Sequence, residues 1–429
     1  MGEGQPTTRK TRVQKSRPDE RKPLWRYIPV QQFTRPRPSA RETARKGFLG
    51  LRRCLGRSTE ATESAVLIKE ELQSLPDSLR DQIAPIPDWT TLQGALDETF
   101  RDWLAGSALQ RLPVVIAMPG SGQDEALSQW AGTHDLVLLH PPPPEQILAG
   151  ASDWLSALPQ DPATRLVMPS LARCYLRHAD GLRFLRQFLD WLANWPGRCL
   201  LGCSSWAWAY LSAALHIDRF FTTAWTLEAL DAERLQIWFA QLASGHDLQP
   251  LVFREPDSGH FVIPPPALKD ENEEEPSSDD ELWGDWKQSS FLTELAAHSL
   301  GNPGVAWAIW RISLGQLSAE ETEKHALREV ETVWVKPWRR IYWPTLPNTL
   351  GHSEFFVLHT LLLHDGLAAS LLCLLLPLSA FEVRRTLSAL ANLRVLEVSQ
   401  DDIWRVSPLA YHTVREALAD EGFLVGEPG

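Results

Sequence analysis

The polar and apolar positions between residues 61 and 254 follow two alternating patterns. Short apolar runs bounded by turn residues are followed by segments in which apolar residues recur with helical spacing. This combination is typical of a parallel β-sheet that is covered by helices on both faces. We therefore predict an α/β core over 61–254, with strands in the apolar runs 113–118, 136–139, 165–168 and 198–203.

The final residues, 351–429, combine helical periodicity with two strand-like runs. Ser379 and Glu382 have the spacing of a capping box, in which each side chain bonds the other's backbone N–H, so a helix is predicted to begin there. Two helices precede it, and two apolar runs around a polar turn follow it. Three helices, a two-stranded turn and a last helix form the pattern of a winged-helix domain.

The segment between these two parts begins with a hairpin end and an acidic run and then returns to a helical pattern. Residues 255–288 hold the end of a predicted hairpin and an acidic run, 270–285, with nine Asp and Glu residues. Because like charges repel, this run predicts a disordered loop in solvent. Helical periodicity returns within residues 289–350.

The net charge of −12 conceals a polarised chain. Residues 1–57 carry 16 Lys and Arg against 4 Asp and Glu, whereas the remaining residues carry 26 against 50. Residues 1–60 are rich in Pro and Arg and lack apolar periodicity, which predicts a disordered basic arm. The arm is either a flexible tail or a docking segment for an anionic surface of membrane lipid, nucleic acid or an acidic partner.

Cysteine usage and hydropathy bear on the compartment. The five Cys residues are odd in number and form no CxxC pair, so neither a disulfide framework nor a zinc site is predicted. The most apolar stretch, 355–378, contains Asp365, and a charged residue is costly inside a membrane span. Two helices around an Asp-Gly turn explain this stretch better than a transmembrane segment. These features predict a cytoplasmic protein, with peripheral attachment to a membrane as the alternative.

Residues 113–131, PVVIAMPGSGQDEALSQWA, resemble the first strand, phosphate loop and helix of a P-loop NTPase. The family pattern is G-x-x-x-x-G-K-[ST], in which backbone N–H groups wrap the phosphates, Lys neutralises them and Ser or Thr holds magnesium. Here Ala117 replaces the first Gly, Gln123 replaces Lys, and Asp124 replaces Ser or Thr. Loss of the cation and gain of a carboxylate reverse the local electrostatics.

The resemblance implies a vestigial nucleotide site with ATP as the candidate ligand, and it implies no catalytic or metal-binding residue. The N-terminus of the following helix attracts anions by only about 0.3–1 kcal/mol per charge. That attraction does not offset the two acidic residues Asp124 and Glu125. The residues that would form the site are Met118, Pro119, Gly120, Ser121, Gly122, Gln123 and Asp124.

Further segments are similar to AAA+ and STAND proteins in order and spacing. Residues 165–171 take the place of the second acidic motif, Walker B, but hold Pro-Ser at 169–170 instead of Asp-Glu. The run 198–203 matches a sensor strand, and Arg219 matches the arginine finger of AAA+ ATPases. The run Gly-Asn-Pro-Gly at 301–304 resembles their lid.

These matches predict a fold class: an α/β, parallel-sheet core like that of P-loop NTPases, a helical lid over 289–350 and a winged-helix domain over 351–429. With both motifs degenerate, the resemblance implies a regulatory or scaffolding protein that is not an enzyme, a pseudo-ATPase with weak or no nucleotide binding. It would act through protein partners or self-assembly.

Two alternatives stay open. One is a nucleic-acid-associated regulator that uses the basic arm and the winged helix. Residues 353–429 carry five Arg and no Lys against ten Asp and Glu, which favours protein contacts over DNA for this domain. The other is an ATP-binding NTPase with a non-standard loop, whose missing cation comes from a partner subunit.

Two smaller constellations have competing interpretations. His178 and Asp180 follow the third strand, where α/β sheets present ligand-binding loops, but a helix-capping turn is favoured over an acid/base pair. Trp334, Trp338 and Trp343 lie among basic residues and would stack on bases or lie at a lipid interface. Burial between the lid and the winged helix is the favoured interpretation.

Overall fold

The computed structural model describes residues 22–38, 72–244, 251–263, 289–316, 331–347 and 350–428. Most of the predicted basic arm and the whole acidic run lie outside the described residues.

Fourteen strands lie within the described part of the chain and are numbered in chain order: β1 (Tyr27–Pro29), β2 (Gln73–Ser74), β3 (Val114–Ala117), β4 (Val137–Leu138), β5 (Arg165–Met168), β6 (Arg198–Ser204), β7 (Ala224–Leu227), β8 (Leu251–Arg254), β9 (Phe261–Ile263), β10 (Leu314–Gln316), β11 (Glu331–Val335), β12 (Leu367–Ala368), β13 (Leu396–Val398) and β14 (Ile403–Val406). They form three sheets with the orders β1-β7-β3-β6-β5-β4, β2-β10-β11-β8-β9 and β12-β14-β13.

Fifteen α-helices connect these strands in the same residues: α1 (Asp77–Ile83), α2 (Gln93–Leu104), α3 (Gln123–Thr133), α4 (Pro144–Ala149), α5 (Ser152–Ser156), α6 (Arg183–Asn194), α7 (Ser205–Leu215), α8 (Ile217–Phe220), α9 (Ala232–Ser244), α10 (Phe291–His298), α11 (Pro303–Ser313), α12 (His352–Leu363), α13 (Ala369–Leu375), α14 (Ala380–Asn392) and α15 (Tyr411–Asp420).

The six-stranded sheet is the core of the molecule. Its strand β3 lies between β6 and β7, and β7, β3, β6, β5 and β4 run parallel to one another, whereas β1 pairs antiparallel with β7. Alternate side chains of β3 enter different clusters, because Val114 and Ile116 pack on one face while Val115 packs on the other. Both faces of the sheet are thus covered by helices, as the apolar runs predict.

The N-terminal segment corrects the prediction for residues 1–60. Residues 27–29 form β1, which pairs antiparallel with β7 at the edge of the core sheet. Trp25 is buried, and its ring lies 5.3 Å from the ring of Trp238, measured between centroids. The prediction of a disordered arm is therefore wrong for residues 22–38, because their apolar side chains find partners on the core.

The second sheet corrects the prediction of a purely helical region over 289–350. The predicted hairpin is present as β8 and β9, which pair antiparallel. Strand β11 adds to β8 in parallel, and β10 adds to β11. Helices α10 and α11 form the helical part of the lid. Along β11, Val333 and Val335 pack into the main core cluster, whereas Trp334 packs against Leu72 in a separate cluster.

The C-terminal domain is a winged helix, as predicted. Helices α12, α13 and α14 precede the hairpin β13–β14, and α15 follows it. The capping box at the start of α14 is formed, since Ser379 N donates to Glu382 Oε2 at 2.8 Å and Glu382 N donates to Ser379 Oγ at 3.2 Å. The short strand β12, which pairs with β14, was not predicted.

An Asp-Gly turn divides the apolar stretch 355–378 into two helices. Asp365 and Gly366 have positive φ angles of 51° and 104° and end α12. Within the described residues, none of the helices has the length and apolar character needed to cross a membrane. The parallel-sheet core, the lid helices and the C-terminal winged-helix domain thus follow one another in the predicted order.

Candidate functional site: the phosphate loop and its cavity

The predicted phosphate loop joins the carboxyl end of β3 to the N-terminus of α3. Gly120 and Gly122 turn the chain there with φ angles of 77° and 75°, which side chains other than Gly rarely adopt. Trp89 packs directly on the loop, because a Cβ atom at Gly122 would lie 2.1 Å from the Trp89 ring. Both glycines are therefore required by the backbone, and the loop keeps a compact shape.

The side chain of Gln123, which stands at the Lys position of the family pattern, bends back towards strand β3. Its Nε2 atom donates a hydrogen bond of 2.8 Å to the backbone carbonyl of Val115, and its side chain is buried. The other end of the amide, Oε1, is buried and has no hydrogen-bond partner among the described residues. The loop therefore presents an amide acceptor where the family presents a cation.

Asp124, in the first turn of α3, is half-buried at the mouth of the loop. Its carboxylate lies 3.8 Å from the Arg173 guanidinium, which follows β5. Burial, and to a smaller extent the nearby charge of Asp365, raise the pKa of Asp124 from 3.8 to about 7, while Arg173 and a hydrogen bond from Ser170 oppose the shift. The predicted Walker B position thus contributes the hydroxyl of Ser170 and the cation of Arg173 to this carboxylate.

The lid contacts the same loop through the run 301–304. Asn302 Nδ2 donates to the carbonyl of Pro119 at 2.8 Å, while Asn302 Oδ1 caps α11 by accepting from Gly304 N at 3.0 Å. A Cβ atom at Gly304 would lie 1.9 Å from the carbonyl oxygen of Gly120. The N-terminus of α11 therefore rests directly on the loop backbone.

The winged helix packs against the core beside this loop through buried polar contacts. Tyr175 Oη donates to the carbonyl of Leu363 at 3.0 Å, and Trp206 Nε1 donates to Tyr411 Oη at 3.0 Å. Tyr175, Trp206 and Tyr411 are buried. These contacts join the ends of β5 and β6 to α12 and α15.

Two buried histidines of α12 and its end contribute to the same interface. His364 accepts from the backbone N–H of Arg177 through Nε2 at 3.4 Å and donates through Nδ1 to the carbonyl of Ala172 at 3.4 Å. His359 faces the Arg177 guanidinium at 3.4 Å and donates to the carbonyl of Leu424 at 3.2 Å. Burial lowers the pKa of both histidines to about 4. Each ring therefore acts as a neutral donor and acceptor.

The C-terminal residues add to the contact between the winged helix and the core. The Glu427 carboxylate pairs with Arg415 of α15 and with Arg35 of the N-terminal segment. Gly426 lies so close to the start of α7 that a Cβ atom there would be 2.3 Å from the backbone nitrogen of Trp206. The winged helix is thus tied to the core on two sides.

A cavity of about 590 Å³ lies between the phosphate loop, the lid and the winged helix. Its charged lining contains four carboxylates against two guanidinium groups, contributed by Asp124, Glu125, Asp365, Glu397, Arg173 and Arg405. All seven residues of the predicted nucleotide site, Met118 through Asp124, also line it. The structure therefore brings the predicted site residues together, and it adds residues from the winged helix.

Arg219, the predicted arginine finger, lies elsewhere. It is an exposed residue of α8 and does not line the cavity. Its role stays a prediction. His178 and Asp180 lie in the turn before α6, where Asp180 Oδ1 accepts from the Arg183 guanidinium at 3.1 Å. The start of α6 has no side-chain capping hydrogen bond, so these residues form a turn before the helix without capping it.

The basic aromatic stretch packs on the lid. The ring centroid of Trp338 lies 5.3 Å from that of His298, and the ring of Trp343 lies 4.3 Å from the same histidine. His298 in turn stacks on His412 of the winged helix at 4.3 Å. This arrangement agrees with the favoured interpretation of burial between lid and winged helix.

Several cavity residues were missed from the sequence. Arg173 lies shortly after β5, the strand at the predicted Walker B position, and could have been found by its place. Arg405 and Asp365 reach the cavity only because the winged helix docks there, so no local signal marks them. In the described part of the chain, no group of three or more His, Cys, Asp or Glu residues is arranged to hold a metal ion.

Comparisons with known proteins find solved structures that resemble this chain at low sequence identity. No family model matches the chain, and no curated protein matches it. It is similar to the Orc1 protein of Aeropyrum pernix, solved in complex with DNA, with 14% identity, a TM-score of 0.35 and coverage of 80% of this chain and 97% of that chain. It is also similar to Cdc6p of Pyrobaculum aerophilum, with 11% identity, a TM-score of 0.28 and coverage of 84% and 98%.

Proposed function

We propose that this protein is a non-hydrolysing regulatory or scaffolding protein, in which the AAA+-type fold is retained and the nucleotide chemistry is lost. The observation that carries the proposal is the hydrogen bond from Gln123 to the carbonyl of Val115. It occupies the side chain at the position where the family pattern places the phosphate-binding Lys. The neighbouring Asp124 faces Arg173, so the local cation is already paired with a carboxylate.

The residues of the cavity do not fit a magnesium-bound triphosphate. A triphosphate needs cations and backbone N–H groups around its oxygens, and a carboxylate at Asp124 repels it. The four carboxylates outnumber the two guanidinium groups of the lining. We therefore derive no catalytic step from ATP in this chain.

Exposed apolar side chains support action through protein partners. Phe381 on α14 is 75% exposed and Leu374 on α13 is 49% exposed. Arg384 and Arg385, the next basic residues of α14, are also exposed. A surface that combines an exposed aromatic ring with Arg is typical of protein contact sites.

Binding of a fluorescent ATP analogue to the full chain, with and without magnesium, tests the proposal. We expect no saturable binding in the micromolar range and no phosphate release above the background. Micromolar, magnesium-dependent binding with turnover would overturn the proposal and would support an NTPase with a non-standard loop. Titration over several protein concentrations separates a weak site from aggregation.

A nucleic-acid-associated function is the second candidate, because Arg384, Arg385 and Arg394 of the winged helix are exposed. It predicts retention of duplex DNA that weakens steeply with salt, since phosphate contacts release counterions. The test compares the full chain with a variant that lacks residues 1–21. That deletion leaves β1 in place, whereas a deletion of residues 1–57 would remove it from the core sheet. Retention that is absent at low salt rules this candidate out.

A further inference from the structure

The cavity beside the phosphate loop has a surplus of negative charge. Asp124 comes from the core and Asp365 from the turn after α12, so two modules each contribute a carboxylate. The pKa of Asp365 is raised by its burial, and Arg405 and Arg173 oppose that shift without reversing it. The guanidinium groups therefore do not fully compensate the carboxylates.

The two arginines compensate the carboxylates of the cavity only in part. Arg405 Nε donates to the backbone carbonyl of Asp365 at 3.1 Å rather than to its carboxylate. Arg173 forms an ion pair with Asp124 at 3.8 Å, a distance too long for a hydrogen bond. Glu397 stands at the exposed rim of the cavity. A cationic ligand would gain from all three carboxylates.

Gln123 provides a second and independent indication of a hydrogen-bond donor in the ligand. Its side chain is only 5% exposed and lines the cavity, yet its Oε1 atom has no partner among the described residues. The orientation of the amide is fixed, because Nε2 already donates to Val115. An unpaired buried carbonyl oxygen costs free energy until a donor approaches it.

The remaining lining is apolar. Val305 from the lid, Leu361 and Leu362 from α12 and Val406 from β14 line the cavity together with the ring of Trp89. A volume of about 590 Å³ lies within the range of small-molecule sites. Methylene groups would pack on these side chains, while charged ends would reach the carboxylates.

We propose that this cavity binds an alkylammonium group, carried either by a linear aliphatic diamine or by a lysine side chain. The inference rests on the proposed loss of nucleotide from the same cavity. An ammonium group supplies N–H donors for Gln123 Oε1 and a positive charge for Asp124 and Asp365. Its polymethylene chain matches the apolar wall. A divalent metal fits less well, since the described residues bring no three acidic, His or Cys ligands together.

Isothermal titration of the full chain with 1,4-diaminobutane tests the proposal at pH 8 and low salt. Nα-acetyl-lysine methylamide is titrated in parallel as the side-chain source of the same chemistry, and magnesium-ATP serves as the anionic comparison. We expect saturable binding of one of the two ammonium compounds. Stronger binding of the diamine assigns a free ligand, and stronger binding of the lysine derivative assigns a protein side chain.

Some variants should weaken ammonium binding and another should tighten it. Structural damage would weaken binding in all of them, so the comparison separates an electrostatic effect from damage to the fold. Asp124→Asn and Asp365→Asn should each weaken ammonium binding about tenfold, because each removes one charge partner. Arg173→Gln should tighten it severalfold, because it removes a competing cation. Asp401→Asn changes an exposed carboxylate of the wing outside the cavity and should leave binding unchanged.

The outcomes distinguish this inference from the proposed function. Absence of binding by both ammonium compounds, or equal affinity in the wild type and Asp124→Asn, overturns the inference. If magnesium-ATP does not bind either, the proposed function survives that result. Micromolar binding of magnesium-ATP without ammonium binding overturns both.

Discussion

The side-chain amide of Gln123 donates a hydrogen bond of 2.8 Å to the backbone carbonyl of Val115. This bond joins the first residue of α3 to the strand that leads into the phosphate loop. A buried hydrogen bond of this kind stabilises the loop by about 1 kcal/mol. It also fixes the side chain in a position from which it cannot neutralise a phosphate.

Restoring the family residues should restore affinity for nucleotide. In the double variant Gln123→Lys/Asp124→Thr, a cation and a hydroxyl replace the amide and the carboxylate. We expect at least about a tenfold rise in affinity for a fluorescent ATP analogue with magnesium, because one like charge is removed and one opposite charge is added. Fluorescence anisotropy measures the change.

The control for this prediction is Gln129→Lys, which adds the same charge on the same helix away from the loop's first turn. It should leave nucleotide affinity unchanged. Thermal melting shows whether the double variant remains folded after it loses the bond to Val115. A folded double variant with the wild-type affinity would contradict the prediction.

The carboxyl group of Asp124 should make stability depend on pH. Its pKa is raised from 3.8 to about 7 in the folded state, so the folded protein binds the proton more tightly than the unfolded chain does. The free energy of unfolding therefore falls as pH rises from about 4 to about 7 and stays low above that range. Asp124→Asn removes this fall.

The expected magnitude is modest because the Asp124 side chain is 34% exposed. The full pKa difference corresponds to about 4 kcal/mol, and solvent screening should reduce it to about 1–2 kcal/mol. Urea unfolding at pH 5 and pH 8 should show Asp124→Asn gaining stability over the wild type at pH 8 only. The exposed residue Asp401, changed to Asn, should show no such difference.

The fold could be predicted where a pattern is local. The capping box at Ser379 and Glu382 and the alternating apolar runs around Val115 each depend on neighbours in sequence, and the structure contains both elements. Strand β1 was missed because its three residues gain their order from β7, far along the chain. No periodicity in so short a strand marks that pairing.

Of the candidate site, only the part that is local in sequence could be predicted. The loop residues are contiguous, so a motif finds them together with the substitutions at Gln123 and Asp124. The opposing face of the cavity, with Asp365 and Arg405, exists only because the winged helix docks on the core. Docking depends on buried contacts such as that between Tyr175 and the carbonyl of Leu363, which a single sequence does not reveal.

Acid should loosen the docking of the winged helix. Burial lowers the pKa of His359 and His364 from 6.5 to about 4, so both rings are neutral in the folded protein. Their contribution to stability is complete above about pH 6.5 and is lost as pH falls towards 4. Protonation of His364 Nε2 would also place its N–H against the backbone N–H of Arg177.

Replacement of one histidine by a residue that does not titrate should make the free energy of unfolding depend less on pH between about 4 and 6.5. We expect His364→Gln to have a lower free energy of unfolding than the wild type at pH 7. Between pH 7 and pH 4, however, the free energy of unfolding should fall by about 2–3 kcal/mol less in this variant than in the wild type. Urea unfolding at several pH values measures the slope. His140→Gln, at an exposed position, should keep the wild-type slope. Parallel slopes for His364→Gln and the wild type would contradict this assignment.

The hydrogen bond between Trp206 and Tyr411 joins the core to the winged helix, and its loss should lower the free energy of unfolding. Tyr411→Phe removes the acceptor of the buried Trp206 N–H, which is 3.0 Å away, and leaves that donor unpaired. We expect a loss of about 1–3 kcal/mol in the free energy of unfolding. Tyr342→Phe, whose ring is 70% exposed, should change stability by less than about 0.5 kcal/mol.

The contact between lid and phosphate loop depends on the absence of a side chain at Gly304. An added Cβ would lie 1.9 Å from the carbonyl oxygen of Gly120, and this neighbour is backbone that cannot rotate away. Gly304→Ala should therefore push α11 from the loop, weaken the bond from Asn302 to Pro119, and cost about 1–3 kcal/mol.

Gly94→Ala is the matched control, because Gly94 lies in α2 and a Cβ there meets no atom within 4 Å. Alanine is the better helix former, so this variant should gain about 0.5–1 kcal/mol. The two substitutions are chemically identical, and only the neighbour of the new methyl group differs. Urea unfolding should therefore move in opposite directions for the two variants, and an undiminished stability of Gly304→Ala would show that the lid does not rest on the loop.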